Sequence, residues 1–258
     1  MELANSNYYS LEANREYLSV SQYKDFMTCE AMAMARINGE WGQEKSEALL
    51  VGSYVHSWAD GTIEQFKQEN KEIFTQKGEL KAKYVQADEM IRTLENDQFC
   101  MYVLNGDKEV AMTATIGGVP WKCKMDVLNL EKSRFVDLKT VKDFKKVWSD
   151  YIGAYTNFVE AYGYITQMAV YREIIKLNTG GEIFEPFIVA VTKQSPPDKA
   201  IINFDDDNLE IELENVIKNV PRIKAVKEGL EEPLRCEKCD YCRSTKQIQK
   251  VIHFTELF

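Results

Sequence analysis

The sequence predicts an α+β fold in which one mixed sheet is flanked by helices. Three observations carry this expectation. The first hundred residues follow helical periodicity. Next, "KEVAMTATI", "PWKCKMDVLNL" and "RFVDLKTV", separated by "GGV" and "EKS", read as a three-stranded antiparallel meander. Last, a long helical pattern, "YTNFVEAYGYITQMAVYREIIKL", precedes two further strands, "FEPFIVAVTK" and "KAIINF", placed around "QSPPD".

Within the first region, "SVSQYKDFMTCEAMAMARING" reads as one helix, with Ser19 or Ser21 as N-cap and Gly39 as its stop. "ALLVGSYVHSWADGTIEQFKQ", weakened by Gly52 and Gly61, and "LKAKYVQADEMIRTLEN" give two more. A final helix, "LEIELENVIKNVPRIKAVKEG", carries Pro221 as an expected kink or break. There is no internal repeat or Gly/Ser linker. The expected organisation is one domain over 1–258, with a helical part at 1–100, the sheet and its helix at 105–205, and a helix with a Cys-rich tail at 206–258.

A chain of 258 residues with 45% hydrophobic and 28% charged residues can bury a sizeable core and is neither fibrous nor disordered. The first twenty residues hold no apolar block, and no later run is long enough to span a bilayer. The expectation is a soluble, cytoplasmic protein without a secretory signal or membrane partner. The net charge of −9, much of it in "DDDNLEIELE", means that any nucleic-acid contact must use a local basic surface or a bridging cation.

Inside "RFVDLKT" an acid and a lysine interrupt an apolar strand. If the preceding loop is symmetric about "LEKS", Asp126 lies opposite Asp137. Period two then sets Lys139 beside Asp137, while Met125, Val127, Val136 and Leu138 turn to the other face as the core side. The same counting across "GGV" adds Glu109 to the charged face. Opposed carboxylates repel unless a cation sits between them, and an all-oxygen set favours Mg²⁺ or Mn²⁺. The alternative reading is a solvated cross-strand salt bridge from Lys139 to either acid. Glu160, Tyr164, Gln167 and Tyr171 share one face of the following helix, and His56, Asp60 and Glu64 share a face upstream. Gln167 and Tyr171 can both hydrogen-bond phosphate or a metal-bound water; half-buried packing is the alternative.

In this order "GSYVH", "KMDV", "DLKT" and "QMAVY", framed by "YLSVSQYKDFMTCEA" and "CDYCRSTK", resemble the PD-(D/E)XK nuclease superfamily over about Ser19 to Lys246. More narrowly they look like the exodeoxyribonuclease VIII-like (RecE-type) nucleases of phages and prophages. The resemblance implies that His56, Asp126 and Asp137 hold metal, that Asp137 and Lys139 are the acid and lysine of a D-x-K signature, and that Gln167 and Tyr171 are a Q-x-x-x-Y motif. It implies a Mg²⁺-dependent exonuclease acting 5′ to 3′ on double-stranded DNA in phage recombination, with a RecT-type annealing partner and a homo-oligomeric ring in some members. Lys142, Lys145 and Lys146, just past the signature, are candidate phosphate contacts, or else a solvated lysine cluster.

Three of the six cysteines form "CEKCDYC", a C-x₂-C-x₂-C run, and Cys29 is the favoured fourth partner of Cys236, Cys239 and Cys242. The run is an iron–sulfur spacing, although Cys₄ zinc uses short spacings as well. Several relatives within the resemblance close the nuclease domain with a [4Fe–4S] cluster, which makes that the expected group and Zn²⁺ the alternative. Cys123 alternates with Lys122 and Lys124 and reads as core. An endonuclease or defence nuclease of the same superfamily and a non-catalytic DNA-binding module remain alternative functions. No phosphate-binding G-x-x-x-x-G-K-[ST] loop is present.

Overall fold

In a computed structural model, the structure describes residues 3–42, 47–149, 152–248 and 250–256. The helical part holds α1 (Leu11–Glu16), α2 (Val20–Thr28), α3 (Glu30–Asn38), α4 (Glu47–Ala59), α5 (Ile63–Glu69), α6 (Ala82–Glu95) and α7 (Gln98–Val103). The strands β1 (Asp107–Ile116), β2 (Val119–Asn129) and β3 (Arg134–Val141) follow, then a small hairpin of β4 (Val147–Ser149) and β5 (Ala154–Thr156). After it come α8 (Phe158–Ala161), α9 (Tyr164–Asn178), β6 (Glu185–Thr192), β7 (Lys199–Ile202), α10 (Asp206–Lys227) and α11 (Asp240–Ser244). The expected α+β class is the observed one: a five-stranded mixed sheet in the order β1-β2-β3-β6-β7, in which only β3 and β6 run parallel. Among the described residues no helix is long and apolar enough to cross a membrane.

Both faces of this sheet are covered. On β3, Val136 and Leu138 join Val189 and Val191 of β6 under α4 and α6, whereas Phe135 and Val141 join Ile188 and Ala190 under α9 and α10. Each valine, leucine, isoleucine or phenylalanine among them contributes roughly 1.5–3 kcal/mol when fully buried. The charged residues of β3 therefore do not lie on an open polar face, as the alternation suggested. Asp137 is buried beneath α9, Lys139 is half-buried beside it, and Arg134 is buried against Tyr102 of α7.

Several elements are shorter than periodicity predicts. The helix expected over 19–39 breaks at Cys29, which is extended (φ −166°, ψ 110°) and serves as C-cap of α2 and N-cap of α3. The helix expected from Ala48 breaks at Gly61 (φ 80°), which separates Asp60 and Glu64 from the helix of His56. The helix expected from Tyr155 begins only at Tyr164: Tyr155 and Thr156 belong to β5, and Gly163 (φ 62°) turns the chain between α8 and α9. In contrast, α10 runs through Pro221 without ending, carried by its buried stripe of Leu209, Val216, Val220, Ile223 and Val226. Packing of that stripe outweighs the hydrogen bond Pro221 cannot donate.

Three features of β2 position the site. Its hairpin with β1 closes on Gly117 and Gly118, both at positive φ (61° and 77°), a turn that suits strand twist. On its other edge, Leu18 takes an N–H from Lys122 and donates to Pro120, both at 2.8 Å, while β3 pairs only from Val127 to Asn129. From Cys123 to Asp126 that edge belongs to no ladder. The two strands part there, and the functional residues line the notch.

Candidate active site

The predicted register holds: Val127 pairs with Val136 and Asn129 with Arg134, which sets Asp126 next to Asp137 at the end of the ladder. The expected sharing of faces does not hold. Met125 lies in the cluster under α9 and Val127 in the one under α4 and α6, so the alternation of β2 is broken at Asp126. Opposite this point Glu109 has φ 52° and drops out of the β1 ladder. Asp126 thus reaches α4, and its Oδ2 accepts the Leu138 N–H at 2.6 Å in place of a strand carbonyl. Its Oδ1 lies 3.3 Å from His56 Nδ1 on α4. Burial opposes the Asp126 charge, but His56, Lys139 and the Leu138 N–H hold its pKa below the usual carboxylate range. For His56, burial pulls the pKa down, and Asp126 with Asp137 more than offsets it, so the imidazole is raised above its ordinary value.

Asp137 is 4% exposed and faces α9, where Gln167, itself buried, donates Nε2–H to Oδ1. Its Oδ2 lies 2.6 Å from Lys139 Nζ, in ion-pair contact but in a direction unsuited to a hydrogen bond. Burial raises the Asp137 pKa against the pull of Lys139, and the neighbouring Asp126 adds to the rise. Lys139 Nζ also stands 4.7 Å from the Tyr164 ring centre. Burial favours the neutral amine, yet Asp137, Tyr164 and Asp126 together raise the Lys139 pKa, so it is an ammonium at neutral pH.

Gly52 explains how α4 comes so close: a Cβ there would stand 3.3 Å from Thr140 Oγ1 on β3. The helix approaches the strand because that position is bare. A cleft of about 370 Å³, lined by Gly52, Ser53, His56, Lys139, Thr140 and Lys193, opens onto this group.

The structure gathers His56, Asp126, Asp137, Lys139 and Gln167, and separates other candidates from them. Glu109 pairs with Lys124 rather than facing the two aspartates as a metal ligand, because its left-handed backbone turns it along β2. Glu160 lies on α8, off the face of Gln167, and hydrogen-bonds Thr156. Asp60 accepts from Thr62, and Glu64 pairs with Lys67. Tyr171, one turn beyond Gln167, packs on Phe135 with ring centres 6.4 Å apart and lines a separate cavity of about 280 Å³ with Tyr8, Tyr9, Lys122 and Lys124. Lys142, Lys145 and Lys146 are exposed on the loop leading to β4.

One residue escaped the sequence reading. Lys24 on α2 donates to the Tyr162 carbonyl at 3.1 Å, and its Nζ lies 5.6 Å from the Tyr164 ring centre. Burial, reinforced by Lys139, pulls its ammonium down to about 8. Only its place in the framing segment "YLSVSQYKDFMTCEA" hinted at a role. Elsewhere, Cys29, Cys236, Cys239 and Cys242 converge with all four Sγ atoms within 4.8 Å of one another, a site able to hold a metal ion. Cys100 and Cys123 are buried in the two cores, as the pattern of Cys123 predicted.

Comparison with known proteins agrees with this fold. The model of a PDDEXK-like domain of unknown function matches residues 19–245. The crystal structure of a candidate exonuclease from Eubacterium rectale superposes with a TM-score of 0.93 at 47% identity, covering 100% of this chain and 98% of that one. The crystal structure of SSO0001 matches at a TM-score of 0.32 and 16% identity over 86% of this chain and 91% of that one, too distant to carry an argument. No curated protein matches. With a family match over most of its length and a site that joins a buried and a half-buried aspartate to a lysine, the chain belongs to the PDDEXK-like family and has the fold of a PD-(D/E)XK nuclease.

Proposed function

We propose that this protein is a Mg²⁺- or Mn²⁺-dependent exonuclease that degrades linear double-stranded DNA from an end, 5′ to 3′, in phage-type homologous recombination. The observation that carries the reading is the pair of neighbouring carboxylates, Asp126 against His56 and the buried Asp137 against the Lys139 ammonium. Two adjacent carboxylates are hard oxygen donors and fit a hard divalent cation. Asp126 and Asp137 would hold that cation, with His56 against Asp126. When bound, such an ion polarises the phosphoryl oxygen and lowers the pKa of its water.

The chain's own groups do the rest. Gln167 holds Oδ1 of the Asp137 carboxylate, which leaves Oδ2 to the Lys139 side. Lys139, held as an ammonium, orients the attacking water and stabilises charge gathering on the scissile phosphate rather than accepting a proton. Lys24 extends the positive field along α2, and the exposed Lys142, Lys145 and Lys146 are placed to meet the DNA backbone, which the overall charge of −9 would otherwise repel. The full-length likeness to the E. rectale candidate exonuclease supports the exonuclease reading. A single-strand annealing protein of RecT type, a homo-oligomeric ring around DNA and the bacterial cytoplasm complete the proposal.

An endonuclease or defence nuclease would use the same residues, and the substrate separates the readings. With Mg²⁺, a linear duplex should be consumed from its 5′ ends while a covalently closed circle of the same sequence stays intact. Cleavage of both at equal rates would sink the exonuclease reading.

A further inference from the structure

The four cysteines outside the active site carry a sharper statement than the presence of a metal. Cys29 Sγ lies 3.5 Å from Cys242 Sγ, and Cys236 Sγ lies 3.9 Å from Cys242 Sγ. All four sulfurs fall within 4.8 Å of one another. Four thiolates on a single zinc ion, at Zn–S of about 2.3 Å, form a tetrahedron whose edges are about 3.8 Å. In a four-iron cluster each thiolate sits on its own iron at the corner of a cube, with sulfides between the irons, so the thiolates stand much wider apart. The observed spacing fits the first geometry and leaves no room for the second. We infer that Cys29, Cys236, Cys239 and Cys242 hold one tetrahedral Zn²⁺ rather than the [4Fe–4S] cluster that the resemblance implies.

The surroundings are those of thiolates. Lys238 and Cys239 donate their backbone N–H groups to Cys236 Sγ at 3.5 and 3.3 Å, and Cys242 donates its own to Cys239 Sγ at 3.4 Å. Glu237 takes φ 57° so that the turn "CEKC" aims both N–H groups at one sulfur. Such bonds spread the negative charge of a tetrathiolate centre, and Arg235, donating to the Cys242 carbonyl at 2.7 Å, adds a cation beside it. Zinc binding releases the thiol protons to solvent and needs no electron transfer.

The same contacts define what the ion does. The tail already meets α3 through Ala31 N–H to the Leu234 carbonyl (3.1 Å) and Leu234 N–H to Glu30 (2.7 Å), and α10 meets it through the Arg222–Glu30 pair (2.6 Å). Trp41 and Tyr241 close over the sulfurs with ring centres 5.6 Å apart. The break at Cys29 that ends α2 is thus the fourth corner of a clip joining the tail to the helix that carries Lys24. Zinc fixes α2 from its C-terminal end.

The test is the metal content of full-length protein expressed and purified anaerobically in medium supplied with both iron and zinc. The expected result is one zinc per chain, with no iron, no acid-labile sulfide and no visible colour. Stripping it with a chelator should lower Tm by roughly 5 °C or more, reversed by adding Zn²⁺. Iron with equimolar sulfide, a metal-free chain, or a Tm indifferent to zinc removal would each overturn the inference. None of these readouts uses DNA cleavage, so the zinc site and the nuclease reading can fail separately.

Discussion

Asp137 and Lys122 are both buried charges, and their surroundings treat them differently. Asp137 has a glutamine donor on one oxygen and an ammonium 2.6 Å from the other. Lys122, 1% exposed, meets neutral acceptors among the described residues: the Tyr8 carbonyl, Asn14 Oδ1 at 2.7 Å and the Tyr8 ring at 4.6 Å. Burial therefore drops the Lys122 pKa from 10.5 to about 8. Below about pH 8 the folded and unfolded chains both carry this proton, and the cost of burying it is constant. Between there and 10.5 the unfolded chain binds more protons, so stability rises with pH. Lys122→Met should flatten that rise, by on the order of 1 kcal/mol between urea unfolding at about pH 7.5 and about pH 9.5. An unchanged slope would contradict the assignment. No sequence signal announced this lysine as buried, because its acceptors come from residues more than a hundred positions away. Asp126, Asp137 and Lys139 were legible, because register arithmetic across a short loop is local.

At the scale of elements, what the sequence conceals is where helices stop. Periodicity runs smoothly through Cys29 and through Tyr162 and Gly163, since both flanking helices bury the same kinds of residue. The break at Gly163 places Tyr164 against Lys139 and brings the Tyr162 carbonyl to Lys24. A Cβ at Gly163 would meet Lys24 Cδ at 3.1 Å, and φ 62° is costly for any L side chain. Gly163→Ala should therefore cost about 1–2 kcal/mol of stability, seen as a lower urea midpoint. A midpoint equal to wild type would mean that the turn tolerates a side chain. The three strands were legible because two glycines and a short polar loop mark their ends. Glu109 misled because alternation assumes an unbroken strand, and its left-handed backbone breaks the strand at that residue.

For the whole molecule, the fold is two helical layers over a mixed sheet whose strands part at one point, and the functional group lies where they part. The class and the order of strands along the chain were legible. The covering of both sheet faces was not, because the helices that bury β3 lie on either side of it in sequence. The zinc clip and the active site are joined by α2, so the tail bears on the site through the placement of Lys24. All of this gives one functional claim, that Asp137 and Asp126 present a divalent cation to DNA with Lys139 alongside. The most direct measurement is digestion of end-labelled linear duplex by wild type and by Asp137→Asn, each with Mg²⁺ and with EDTA. The account predicts cleavage by wild type with Mg²⁺ alone, and a loss of about 10²-fold or more in the variant at unchanged Tm. Cleavage that persists in EDTA, or an Asp137→Asn chain as active as wild type, would contradict it.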